Sequence, residues 1–116
     1  MVRVFGALLV VALVPLALSC HSPAAGGSTK GDAVFAATCA SCHGPTGKPP
    51  ASMVAAMAVR DLTSAEFRAR ATPELIRNQV RKGSANKLMP GFAGTLTEAQ
   101  IDAVTSYVMA LTQPRP

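Results

Sequence analysis

At 116 residues the chain has room for one domain and little more. Its hydrophobic fraction of 49% overstates the core, because much of that fraction sits at the front of the chain. The net charge of +5 comes with nothing resembling a nucleic-acid module, and the exported character argued next speaks against that class.

Arg3 precedes an apolar run from Val4 to Leu18 whose one irregularity is Pro15 and which ends in small residues. A positive start and an apolar stretch of this length read as a signal peptide over residues 1–19. A spanning helix would need roughly 20 apolar residues and firmer flanks. Leu16-Ala17-Leu18-Ser19-Cys20 resembles a bacterial lipoprotein cleavage box, although Ala17 stands where leucine is usual. Ordinary signal-peptidase cleavage near Ala17 or Ser19 is the alternative. Cysteine arithmetic favours lipidation, since Cys20 would otherwise be an odd thiol in an oxidising compartment. The expectation is a protein held by acyl chains on Cys20 at the periplasmic side of a bacterial membrane, with a soluble periplasmic protein as the alternative.

Residues 20–31 read as a flexible tether, because Ser, Pro, Ala and Gly dominate and no apolar periodicity appears. About ten residues of such coil reach on the order of 15–20 Å. The folded domain is expected over 32–112, followed by a short tail over 113–116. At roughly 80 residues such a core is marginal without a staple. Its aromatic residues are only Phe35, Phe67, Phe92 and Tyr107.

Asp32 is placed to cap a first helix running to about Cys42, with Phe35 and Cys39 four apart on one face. That helix carries Cys39-Ala40-Ser41-Cys42-His43, the attachment signature of c-type haem. Two thiols three positions apart can add across the two haem vinyl groups, and His43 then supplies the proximal axial nitrogen. Its other ring nitrogen should donate to a carbonyl, which fixes tautomer and orientation. A thioredoxin-like dithiol would need a βαβ context, and a structural zinc site would need four ligands. A covalent porphyrin also supplies the missing staple, as a large apolar surface for short helices to pack around.

His43-Gly44-Pro45-Thr46-Gly47 and Pro49-Pro50 break the helix. Ala51–Val59 suggests a short helix, and Thr63-Ser64-Ala65-Glu66 a capping box for another. Thr72-Pro73-Glu74 is a helix start, with Leu75, Ile76 and Val80 as its expected buried face and Lys82-Gly83 as its end. The last helix begins at Thr97, with Gln100 in capping-box position and Ile101, Val104, Val108 and Leu111 at helical spacing. Between them lies Leu88-Met89-Pro90-Gly91-Phe92. Methionine is a common gap filler in cores. In a loop stiffened by proline and flanked by glycine, Met89 better suits a sulfur that must reach a metal, and it is the candidate distal ligand. Met53, Met57 and Met109 read as core or surface, and His21 as a solvated linker residue.

With Cys39, Cys42, His43 and Met89 in place, the chain resembles the small class I c-type cytochromes of bacteria. The likeness covers Gly31 to Leu111 and rests on the attachment motif, Gly44 and Gly47, the Met89-Pro90 loop and the two terminal helices. It implies an all-α cytochrome c fold of four or five short helices around one covalent haem c. It also implies terminal helices crossing at right angles through Gly31, Phe35 and Tyr107, and a proline carbonyl, from Pro49 or Pro50, behind the proximal histidine. The implied function is one-electron transfer between redox partners by a monomeric carrier that is not an enzyme. A haem-binding subunit of a larger respiratory oxidoreductase, or a haem enzyme or gas sensor with an open distal site, are the rival readings. Between Arg60 and Lys87 seven bases (Arg60, Arg68, Arg70, Arg77, Arg81, Lys82, Lys87) face three acids (Asp61, Glu66, Glu74), which suggests a docking face for an acidic partner.

Overall fold

The computed structural model describes residues 25–113, so the signal segment, Cys20, His21 and the end of the tail lie outside the described residues. Among the described residues six helices follow one another: α1 Gly31–Thr38, α2 Ala40–His43, α3 Ala51–Met57, α4 Ala65–Arg70, α5 Pro73–Lys82 and α6 Glu98–Leu111. Among the described residues there is no strand beyond an isolated bridge between Ala93 and Leu96. The sixth helix arises because the expected first helix is two. Cys39, at φ −115° and ψ −34°, departs from helical geometry and restarts the turn. Its N–H donates to the Phe35 carbonyl at 2.8 Å, and its own carbonyl accepts from His43 N–H at 2.9 Å. The joint therefore stays continuous in hydrogen bonding while it bends at the first thiol. Lys30, not Asp32, is the N-cap; Asp32 sits in the first turn, where a carboxylate complements the helix dipole.

The core is built where α1 and α5 both pack on α6, from Val34, Phe35, Ile76, Val80, Ile101, Val104 and Val108, with Leu62 and Leu96 from the loops. Gly31 makes the α1–α6 contact possible: a Cβ there would lie 2.8 Å from Tyr107 Cβ and against the Ala103 carbonyl. The two backbones thus meet directly, and the Phe35 and Tyr107 rings stack tilted beside them with centroids 5.2 Å apart.

On α5 the Thr72 hydroxyl accepts from Leu75 N–H, and Pro73 opens the helix as expected. Ile76 and Val80, four apart, take the inward face, but Leu75 is 58% exposed and is not part of it. A face this narrow holds residues four apart and turns their neighbours away. Arg77 and Arg81 are also not free surface cations, because they pair with Asp102 and Glu98 of α6 and lace the two helices together.

Thr97 and Gln100 form the expected capping box at α6. The same Gln100, 1% exposed, donates through Nε2 to the carbonyls of Gly26 and Ser28, both at 3.0 Å. One buried amide therefore caps a helix and fastens the end of the tether, whose Ala25 packs on the core. At α4 the cap is Ser64 rather than Thr63, because Asp61 engages Thr63 through both its N–H (2.8 Å) and its hydroxyl (2.6 Å). Helices α3 and α4 form no pairing comparable to those of α1 with α6, α5 with α6 and α1 with α2.

Candidate haem site

Helix α2 brings both thiols and the imidazole onto a single turn, with Cys39 and Cys42 three apart. Both cysteines are free and half-buried. Burial pushes the Cys39 thiol up, against the effect of the Thr38 hydroxyl 3.4 Å away. His43 Nδ1 lies 3.1 Å from the carbonyl oxygen of Arg60. A carbonyl can only accept, so Nδ1 carries the proton and Nε2 keeps its lone pair. Burial lowers the pKa of His43 more than that bond raises it, which favours the neutral, ligating form.

The carbonyl behind His43 thus belongs to Arg60 and not to Pro49 or Pro50. Pro50 O is already used as the start of α3, accepting from Met53 and Val54 N–H at 3.0 and 3.2 Å. Arg60 reaches the imidazole because the chain returning from α3 is tied back to the loop by Leu62 N–H on Gly47 O at 2.9 Å. Asp61 stiffens that return, and the Thr63 hydroxyl and amide hold its carboxyl below the usual range.

Met89 is half-buried and packs against the same core that receives Cys39. Its loop is folded back on the end of α5: Phe92 N–H donates to Val80 O at 2.9 Å and Ala93 N–H to Arg81 O at 3.2 Å. Met109 also packs on the core, whereas Met53 and Met57 lie half-buried on α3. Several apolar side chains remain uncovered, among them Val54 at 47%, Leu75 at 58% and Leu88 at 48% exposure. Two thiols, a neutral imidazole with a free lone pair, a thioether and this unspent apolar surface together fit a covalently held haem. The alternatives lack their requirements among the described residues: no strand accompanies the thiols, and no group of three or more His, Cys, Asp or Glu side chains gathers to hold an ion. Sequence reasoning missed the Arg60 carbonyl and the hold on the Met89 loop, since both depend on contacts between distant backbone segments.

The family model described as cytochrome C oxidase, cbb3-type, subunit III matches residues 26–108. This chain belongs to that family of c-type cytochromes. Cytochrome c6 of Microcystis aeruginosa is 36% identical to it over 80 residues, covering 69% of this chain and 91% of that protein. The solved KustC0563 c-type cytochrome superposes with a TM-score of 0.64 at 25% identity, over 72% of this chain and 99% of the other. The cytochrome accordingly has the all-α cytochrome c fold and binds haem c covalently. It is a haem electron-transfer protein that works with redox protein partners. No helix among its described residues is long and apolar enough to cross a membrane.

Proposed function

We propose that this cytochrome is a single-haem electron carrier with its haem on Cys39 and Cys42, axial ligands His43 and Met89, and a lipid on Cys20 that holds it at the periplasmic side of a bacterial membrane. The observation that carries the reading is the packing of Cys39 and Met89 against one core, with the His43 imidazole already set by Arg60 O. Haem c supplies a one-electron iron couple when bound. A thioether from Met89 would favour the ferrous state and raise the potential, and with His43 and Met89 both holding the iron a substrate would find no room there. That closure is what favours a carrier over a haem enzyme or gas sensor.

The deciding experiment is Met89→Ala in the holoprotein. The sulfur-to-iron charge-transfer band should vanish, and the potential should fall by on the order of 0.1 V or more, a fraction of the about 0.8 V that axial ligands span. An unchanged spectrum would take Met89 off the iron and revive the open-site rivals. For the anchor, intact mass of the mature protein should show acyl chains on Cys20; cleavage after Ala17 or Ser19 with an unmodified Cys20 would leave a soluble periplasmic protein.

The docking face is narrower than the charge count implied. Arg70 pairs with Glu66, Arg77 with Asp102 and Arg81 with Glu98, and Arg68 donates to Thr63 O. The exposed Arg60, Lys82 and Lys87 form no ion pair among the described residues and are left to steer an acidic partner. Lys82→Glu with Lys87→Glu should slow second-order electron transfer to an acidic partner about tenfold at low salt. The difference should disappear near 1 M, where the Debye length is about 3 Å. Equal rates at low salt would dispose of the idea.

A second reading, a haem-binding subunit of a larger respiratory oxidoreductase, is favoured by the name of the matching family. Native electrophoresis of solubilised membranes separates the two, since a carrier migrates alone as a monomer and a subunit migrates with its complex.

A further inference from the structure

Beyond the bonds that Phe92 and Ala93 make to the end of α5, the loop between α5 and α6 has one residue that fastens Met89 itself. Ser84 N–H donates to Met89 O at 3.0 Å, and Met89 N–H donates to Ser84 Oγ at 2.9 Å. Both backbone groups of Met89 are therefore satisfied by the same serine. The hydroxyl has one proton to give, and it goes to Asn86 Oδ1 at 2.6 Å, far closer than the 3.5 Å to Met89 O. Asn86 Oδ1 accepts in addition from Leu88 N–H at 3.1 Å, so the relay closes on the residue next to Met89. Lys87 N–H returns to Ser84 O at 3.0 Å, with Lys87 itself at φ 64°. Residues 84–89 thus form a small closed circuit through two side chains, and both Ser84 and Met89 are half-buried within it.

We propose that Ser84 is the positioning residue for Met89, locking the peptide from which the thioether is presented, with Asn86 orienting the serine hydroxyl. The inference rests on the reading of Met89 as the axial ligand. With the peptide locked, only the Met89 side-chain torsions remain to be fixed when sulfur reaches its target. Without the hydroxyl, the Met89 N–H loses its acceptor and the loop samples positions that withdraw the sulfur. A competing ligand then meets a weaker incumbent.

The test is imidazole titration of the ferric holoprotein, followed by the shift of the haem Soret band so that variants with and without the sulfur-to-iron band are read alike, with urea midpoints measured in parallel. Ser84→Ala should bind imidazole about tenfold more tightly than the parent, which corresponds to about 1.4 kcal/mol. Ser84→Thr, which keeps the hydroxyl, should stay near the parent value. Ile101→Val, a core truncation on α6 that leaves the hydrogen bonds of the 84–89 circuit in place, should lower the urea midpoint without moving the imidazole affinity. If Met89→Ala tightens imidazole binding but Ser84→Ala does not, the positioning role is overturned and the ligand assignment stands. If Met89→Ala leaves affinity and band unchanged, the ligand assignment fails and this inference falls with it. Equal gains in Ser84→Ala and Ile101→Val would reduce the effect to general loosening and also overturn it. Should the Ser84→Ala holoprotein fail to accumulate, Asn86→Ala, which removes the acceptor of the serine hydroxyl, carries the same comparison with the same opposing outcomes.

Discussion

Gly31→Val should lower folding stability by about 3 kcal/mol, the upper end of what overpacking costs, and against a typical total of about 5–15 kcal/mol that is a large fraction. The cause is the α1–α6 crossing, where a first side-chain carbon would sit 2.8 Å from Tyr107 Cβ and press on the Ala103 backbone. Backbone cannot rotate out of the way as a side chain can, so the helices must separate. Separation uncovers Val34, Phe35, Ile101 and Val104, which are among the most buried side chains in the molecule. The damage would reach the site as well, because α1 hands its last hydrogen bond to Cys39 through Phe35 O. Gly31→Ala gives the sharper diagnostic. In an ordinary helix interior that change gains roughly 0.5–1 kcal/mol from backbone entropy; here it should be net destabilising. The urea midpoint at unchanged m-value reads both variants. A stabilised Gly31→Ala would mean that the helices do not touch at this point.

Local signals in the sequence located the helices and the chemistry, and distant contacts escaped them. Thr72-Pro73 and the Thr97–Gln100 box were legible because a cap is made within four residues of itself. The attachment motif was legible for the same reason, since its thiols and imidazole occupy a single turn. Leu75 was misassigned because the hydrophobic pattern of α5 does not say how wide its buried stripe is, and α6 covers only the Ile76 and Val80 side. The docking face was overdrawn because Arg77 and Arg81 have acidic partners 25 and 17 positions away, on a different helix. The Arg60 carbonyl was invisible for a deeper reason. Backbone oxygens have no sequence signature, and a 17-residue excursion through α3 decides which one arrives at His43. Gln100 is an intermediate case: its cap was readable, but its grip on Gly26 and Ser28 spans more than 70 positions.

Gly83→Val should be comparably costly and should act on the site directly. Gly83 has φ 74° and ψ −172°, a region that only glycine occupies without strain, and a side chain there costs about 1–3 kcal/mol before any clash is counted. The clash adds to it: a Cβ would lie 2.6 Å from Gly91 N and 2.7 Å from the Pro90 carbonyl carbon. Gly91 returns the intimacy, since its own Cβ would lie 2.8 Å from Arg81 O. Two glycines are thus used where the Met89 loop crosses the end of α5, and the bonds from Phe92 and Ala93 to Val80 and Arg81 depend on that closeness. Forcing the crossing apart should lower the urea midpoint by an amount equivalent to about 3 kcal/mol. With Met89 ligating the iron as proposed, it should also bleach the sulfur-to-iron band of the holoprotein, because the peptide of Met89 moves with the loop. The two readouts separate two meanings of the contact. Loss of stability with the band intact would show that sulfur finds its place without help from the crossing. Loss of both ties the placement of the ligand to a backbone approach that no side chain larger than hydrogen permits.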